Sequence, residues 1–400
     1  MGARMSQTTR RSILKFTLLT VFGTGALAVS KTRPALSSER ALLPGPKFFV
    51  KGIYQQPVEN MAVWKGRGVN TIFTMNRGAD LGEWTSEATT RGLHIVREPA
   101  GISEDYVIVD RAAFDKDIAN PNLLALALMD EPSNLKPGSA GITYDGVAVP
   151  PEEVDTVARG WSAAGKPLWI NHVGNHINNI YLEAIMGDYA DSPYIDWVSH
   201  DCYPIAGGSE LIIDLDDYTS TPQGHAIDRL SIWSDGRPQF SFVGLTQYDG
   251  SLGRKTKPGE FRVQAWSSVI HGAVGIIYFS FKFSPEFSYD ATPLDLQKEL
   301  RVFHSQIDSI EDILMDKQKG GRRASTVMQS IRGGNAESGT SLPYPFEASS
   351  TRTEEGEYKI ILNLSDEAAE LSYAPWGLSK VRFEAYQCKR GYLPADFSQA

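Results

Sequence analysis

The sequence predicts an α/β chain built as a closed (β/α)8 TIM barrel followed by a small antiparallel β domain, and three observations carry that reading. Eight short apolar, β-branched runs recur between residues 48 and 281. Helix-length intervals separate them. Beyond about residue 300 the text changes to the two-residue alternation of exposed strands, broken by Gly, Pro and Asn. Strands alternating with helices imply a parallel sheet, and eight such units in roughly 230 residues suit a closed barrel. A doubly wound open sheet is the alternative. Its usual nucleotide-binding versions are removed, because no G-x-G-x-x-G turn follows an early strand and no G-x-x-x-x-G-K-[ST] occurs.

The strand runs come in order: FFVKGIY, with its core at 49–54, then GVNTIF (68–73), GLHIVREP (92–99) and LLALALMDEP (123–132). PLWINHVG (167–174), YIDWVSHDCYP (194–204), PQFSFVGLTQYD (238–249) and GIIYFSF (275–281) complete the eight. VENMAVWKGRG (58–68), PEEVDTVARGWSAAG (151–165) and PGEFRVQAWSSVIHGA (258–273) read as connecting helices, and RVFHSQIDSIEDILMD (301–316) as a closing one. The polar, turn-rich stretch 338–357 reads as a long loop within the β domain. The expected organisation is a signal at 1–28, a linker at 29–44, the barrel at 45–318 and a β-sandwich-like domain at 319–400.

The N-terminal stretch TTRRSILKF places Arg10 and Arg11 before the apolar run FTLLTVFGTGALA, which ends in small residues near Ala26 and Ala28. A positive region, a short apolar region and an A-x-A exit describe a secretory signal; a spanning helix wants about 20 apolar residues. The paired arginines, the hydroxyl residue before them and Lys15 after them match a bacterial twin-arginine signal. The expected partner is therefore the twin-arginine export machinery, and the expected location is the periplasm or the medium.

The chain has 400 residues with 42% hydrophobic and a net charge of -9, enough for a substantial core and without the basic footprint that neutralises phosphates. Nucleic acid is excluded as a partner on that ground. Eight Trp and 16 Tyr are compatible with a carbohydrate cleft, because aromatic rings stack on sugar faces, although most such residues belong to cores. Cys202 and Cys388 lie far apart and indicate no disulfide scaffold. The seven histidines show no metal-ligand spacing, so no metal and no cofactor is expected. Oligomeric state is not encoded in any motif.

Active sites of such barrels collect at the C-terminal ends of the strands, where side chains on separate loops converge. Asp130 and Glu131 are the first residues off the fourth strand, and adjacent residues on an extended segment point to opposite sides. The expected arrangement turns Glu131 into the cleft and Asp130 against the neighbouring strand, with Pro132 biasing Glu131 toward an extended backbone. A solvated acidic turn capping a helix at Ser133 or Asn134 is the plain alternative.

A glutamate off strand four, a D-x-Y-P turn (Asp201 to Pro204) off strand six, an aromatic last strand and a trailing β domain resemble the TIM-barrel glycoside hydrolases of the large clan whose acid/base glutamate ends strand four. The resemblance covers roughly 45–300. In that clan the motif is commonly Asn-Glu-Pro, so Glu131 matches the proton donor and Asp130 departs from the sugar-contacting asparagine. The clan's nucleophilic glutamate off strand seven has no counterpart: Gln247 stands where an acid is expected, and an amide has no usable base. The resemblance implies hydrolysis of an O-glycosidic bond in a poly- or oligosaccharide.

The substitute carboxylate is Asp201, with Asp249 and Glu286 as rivals. Carboxyl separations of about 5–5.5 Å accompany retention and about 6.5–9.5 Å inversion, and the missing clan nucleophile favours inversion, with Glu131 as acid and Asp201 as base. Tyr54, Gln55, Glu98, Asn171, His172, Tyr203, Gln247, Tyr248 and Tyr278 are the expected substrate contacts, with Asp130 and Glu286. A transglycosylase would use the same residues. A catalytically silent carbohydrate-binding or envelope-associated barrel, with Gln247 marking a lost nucleophile, is the reading from a different class.

Overall fold

A computed structural model describes residues 40–136, 146–214, 219–248, 253–315, 328–331, 342–353, 355–392 and 396–397. The expected signal at 1–28 and the rival acid Asp249 lie outside the described residues. Eight parallel strands close into a barrel: β1 (Val50–Tyr54), β2 (Thr71–Phe73), β3 (His94–Arg97), β4 (Leu123–Asp130), β5 (Leu168–Val173), β6 (Trp197–Asp201), then β9 (Gln239–Gly244) and β10 (Gly275–Phe279), which pairs back onto β1. A short antiparallel pair, β7 (Ile213–Asp214) and β8 (Thr219–Ser220), lies between the sixth and seventh barrel strands in the chain. Each expected strand run holds one barrel strand. Nearly continuous apolar runs suit this position, since every strand is buried on both faces.

The helices are α1 (Val58–Gly66), α2 (Leu81–Thr90), α3 (Arg111–Ile118), α4 (Pro151–Trp161), α5 (Gly174–Ile177), α6 (Glu183–Ala190), α7 (Pro222–Trp233), α8 (Pro258–His271), α9 (Leu294–Asp308) and α10 (Glu311–Met315). Their starts obey local chemistry. Asp80 and Asp110 accept from Glu83 N and Ala113 N at the heads of α2 and α3, and Glu260 accepts from Lys257 N at the head of α8. The closing helix expected at 301–316 begins at Leu294, just past Pro293, and is interrupted at Ser309 before α10. No helix of the described residues is long and apolar enough to cross a membrane.

The barrel interior is aromatic at its waist, where Phe73 meets Trp169 at 5.1 Å and Trp197 meets Phe240 at 5.4 Å between ring centroids. These contacts fix the parity of the strands. Trp169 points inward, so Asn171 does too, and Ile170 and His172 point outward toward the helices. At the opposite end from the strand tips, the end of the expected linker is tied down: Arg40 and Leu43 N both bond the buried Asp196, and Trp197 Nε1 donates to Pro44 O at 3.0 Å.

The trailing domain has a sheet ordered β11 (Met328–Ile331), β12 (Phe346–Thr353), β13 (Gly356–Asn363), β16 (Cys388–Tyr392), with β14 (Ala369–Tyr373) and β15 (Leu378–Phe383) as a separate antiparallel pair. All of β12 falls in the stretch expected to be loop. Its polar text, FEASSTRT, has a structural cause: Glu347 is buried against the barrel, accepting from Ser220 Oγ at 3.1 Å and facing His271 Nε2 at 3.2 Å. His271 Nδ1 in turn meets Asp228 Oδ2 at 2.8 Å. Ser220, His271 and Asp228 thus stand in the order of a nucleophile triad, but Ser220 is fully buried and its hydroxyl meets Glu347 as well as His271 Nε2, at 3.1 and 3.2 Å, which makes the group a seam between the two domains.

Candidate active site

At the C-terminal mouth of the barrel a cavity of about 330 Å³ opens to solvent. Its walls come from separate strand ends: Tyr54 from β1, Asp130 and Glu131 from β4, Asn171 from β5, Asp201 and Tyr203 from β6, Phe242 and Tyr248 from β9 and its extension, and Phe279 and Phe283 from β10 and its extension. Two features organise it, a set of three carboxyl groups and an arc of aromatic rings.

The carboxyl groups are held by unusual backbone. Gln55, Thr74 and Glu131, the first residues past β1, β2 and β4, all take left-handed conformations with φ of 45°, 49° and 48°. Each points its N–H at the next strand: Gln55 N to Phe73 O, Thr74 N to Val96 O and Glu131 N to Asn171 O, at 2.8, 2.6 and 3.0 Å. This overturns the extended backbone expected for Glu131. The bond to Asn171 O, and that from Asn134 N to Glu131 O at 2.9 Å, outweigh the bias from Pro132. A non-glycine residue held there costs on the order of 1–3 kcal/mol, and such strain collects at functional sites.

The turn brings Asp130 and Glu131 into the same cleft, where extended neighbours would have diverged. Asp130 accepts from Tyr54 Oη at 2.6 Å and from Asn171 Nδ2 at 2.9 Å, and Asn171 Oδ1 accepts from Ser199 Oγ at 2.7 Å. Glu131 Oε2 accepts from Asn134 Nδ2 at 2.7 Å. Asp201 accepts from Gly174 N at 3.2 Å and is in side-chain hydrogen-bond contact with Glu131. Gly174 allows this approach: a Cβ there would sit 2.7 Å from both Asp201 O and Cys202 Cβ.

The electrostatics follow from this crowding. Desolvation first, then the hydrogen bond and negative charge of Glu131 and the charge of Asp130, push the Asp201 carboxyl well above the usual carboxylate range. Two carboxyl groups in contact share a proton, because both cannot ionise cheaply. Asp130 is also raised, by desolvation, while its bonds from Tyr54 and Asn171 pull the other way and the charge of Glu131 adds to the rise. Glu98, behind the cleft wall, is raised by burial and by the charge of Asp130.

The aromatic arc is continuous. Tyr203 lies 5.1 Å from Phe279 and 5.8 Å from Tyr248, and Tyr248 lies 6.3 Å from Phe283, which is half exposed. The run FSFKFSPEFSY (279–289) supplies Phe279, Phe281, Phe283, Phe287 and Tyr289 by strand-like alternation, with Lys282 and Ser288 bridging as a hairpin. At the seventh barrel strand, Phe242 faces inward and the next inward position is Gly244. Tyr203 covers it: a Cβ on Gly244 would lie 3.2 Å from Tyr203 Cδ1.

Several expected site residues are elsewhere. His172 points outward, fully buried beside Tyr189, because it has the opposite parity to Asn171. Tyr278 also points outward and bonds His304 Nε2 at 2.7 Å. Gln247 lies outside the cleft lining, its Nε2 donating to Gly253 O at 3.2 Å. Gln55 and Glu98 do not line the cavity, and Glu286 sits exposed at the tip of the aromatic hairpin. Asn175, Ser209, Phe242, Phe279 and Phe283 line the cleft without having been expected there. The alternation of FSFKF was a visible signal for two of them; Asn175, on the short helix α5, and Ser209, in a loop, carry none. Among the described residues no group of three or more His, Cys, Asp or Glu is arranged to hold a metal ion.

No protein-family model matches the sequence, and no curated protein matches it. Among solved structures, the chain is similar to a glycoside hydrolase at 12% identity and a TM-score of 0.49, covering 90% of this chain and 94% of that one. It is similar to a β-galactosidase from the psychrophilic Marinomonas ef1 at 12% identity and 0.43, covering 69% of this chain and spanning 61% of the galactosidase. A truncated 3-deoxy-D-arabino-heptulosonate 7-phosphate synthase from Thermotoga maritima is similar at 12% identity and 0.35, covering 65% of this chain and 88% of that one. Barrels of different chemistry share this likeness, so function has to be argued from the site.

Proposed function

We propose that the protein is a glycoside hydrolase that cleaves an O-glycosidic bond in a poly- or oligosaccharide. One observation carries the reading: an open cleft at the C-terminal end of the barrel holds three carboxyl groups beside an arc of aromatic rings. Rings of this kind bind sugar faces, and glycosidic cleavage needs one carboxyl to protonate the leaving oxygen and another to attack the anomeric carbon or activate water.

In this reading the Glu131–Asp201 pair holds the proton and Glu131 delivers it, so that the bond between anomeric carbon and leaving oxygen breaks as that oxygen takes the proton. Asp201 was expected to act as base. Its side-chain hydrogen bond with Glu131 and its raised pKa fit it instead to the role of proton-holding partner. Asp130, kept open to the cleft and oriented by Tyr54 and Asn171, is the opposing carboxylate. The twin-arginine pattern at Arg10 and Arg11 supports export and a periplasmic or secreted location.

The same close pair, and the covering of Gly244 by Tyr203, favour a second reading, in which the barrel binds glycan without cleaving it. A proton-NMR time course with a panel of bacterial and plant glycans, run beside Glu131→Gln, separates them. New reducing-end signals from the wild type alone are the expected result, and the first anomer to appear reports the stereochemical course. Binding of a panel member without any reducing end decides for the second reading.

A further inference from the structure

A second cavity, of about 550 Å³, lies between the barrel and the trailing β domain. It adjoins the cleft. The loop from Ile205 to Ile212 is the partition: Gly207 lines the cleft, Gly208 lines the second cavity and Ser209 lines both. The far wall belongs to the β domain, which contributes Tyr344, Asp366 and Tyr386. Tyr344 is 63% exposed, and the Tyr386 ring seats where a Cβ on Gly259 would lie only 2.6 Å from it. A tyrosine so open beside a polar cavity has no role in the core. Its flat face is available to a sugar ring.

The charges narrow the ligand. The cleft lining carries Asp130, Glu131 and Asp201 with no Lys, Arg or His among its described residues. The second cavity carries Glu210, Glu260 and Asp366 against one cation, Arg254, which is already paired with Glu260 through two contacts of 2.8 and 2.5 Å. A uronic-acid or sulfated chain would meet like charge in both cavities, whereas neutral or amine-bearing sugars would not.

We infer that the cavity between the two domains is a remote subsite for the same glycan chain that enters the cleft, that Tyr344 is its stacking platform, and that the chain it takes is built of neutral or amine-bearing sugars. The β domain then contributes directly to substrate binding. A chain spanning both cavities gains affinity with length, which fits an enzyme acting within a polymer. The inference rests on the proposed carbohydrate function for the identity of the ligand.

Calorimetric titration of the full chain tests it, with tri- and hexasaccharides of the cello, laminari, manno, xylo and chitosan series and with oligogalacturonates. At least one neutral or amine-bearing series should bind about tenfold tighter as hexasaccharide than as trisaccharide. Tyr344→Ala should remove most of that ratio and Tyr344→Phe should restore it. Tyr181→Ala, an exposed tyrosine lining neither cavity, should leave it intact. Equal affinity at both lengths, a ratio untouched by Tyr344→Ala, tightest binding of oligogalacturonate, or no binding by any series would each overturn the inference. Release of reducing ends without a length advantage defeats the subsite and leaves the hydrolase; a Tyr344-dependent length advantage without release does the reverse.

Discussion

The Tyr54 hydroxyl on β1 donates to Asp130 Oδ2 on β4 at 2.6 Å, a link between two strands that are not neighbours in the barrel. It holds the Asp130 carboxyl down while desolvation and Glu131 raise it. Tyr54→Phe removes that restraint, so the Asp130 pKa should climb. The acid limb of the pH–rate profile should move to higher pH, with kcat/KM at its optimum lower by about tenfold to a hundredfold. An unshifted limb would take Asp130 out of the chemistry.

Asp201→Asn should move the other limb. The variant lacks the carboxyl that desolvation and Glu131 hold well above the usual range, so activity should fail at a lower pH on the basic side. The loss in kcat should be about 10²–10⁴-fold where the proton is needed. A variant with the wild-type basic limb would mean that Asp201 does not hold the proton.

Glu131 is strained as well as crowded, with φ at 48° and two acids beside it. Glu131→Gly should therefore raise stability by about 1–3 kcal/mol while abolishing hydrolysis. Thermal unfolding checks it. A lower melting temperature would show that the bond from Asn134 is worth more than the relief of strain.

His172 and His200 are register partners on β5 and β6, both fully buried behind the barrel wall, and burial lowers each pKa from 6.5 to about 3. The unfolded chain binds more protons than the folded one between those values. Stability should be whole above about pH 6.5 and drain as pH falls toward 3, at up to about 1.4 kcal/mol per pH unit for each ring. His200→Leu should flatten that slope. Parallel pH profiles of urea unfolding for the two proteins would rule it out.

Glu347→Ala should destabilise the fold by about 3 kcal/mol or more, because it leaves His271 and Ser220 buried at the seam without their shared acceptor. Glu347→Gln, which keeps an acceptor, should cost less. Unfolding midpoints ranked in the reverse order would refute the account of the seam.

The eight strands were legible because strands buried on both faces read as unbroken apolar text, and strand ends located Asp130, Glu131, Asp201 and Tyr203. Absolute parity was not legible. Alternation sets Asn171 and His172 on opposite sides, but only the inward ring of Trp169 says which side is which. Glu131 defeated local reasoning for another reason: its backbone is set by the carbonyl of Asn171, 40 residues away in sequence, and not by the proline beside it. Asn175 on the one-turn helix α5, and Ser209 and Tyr344 in loops, reach the cavities from segments too short or irregular to carry a periodic signal.

The ring of Tyr203 over Gly244 also sets an evolutionary and engineering constraint. A carboxylate at position 244 of the seventh strand needs Tyr203 to yield, since a Cβ there already lies 3.2 Å from its ring. Gly244→Glu alone should misfold or push Tyr203 out of the cleft, and the aromatic wall with it. Shrinking residue 203 first would relieve that contact, at the cost of an intermediate with a weakened sugar platform and no new catalytic group.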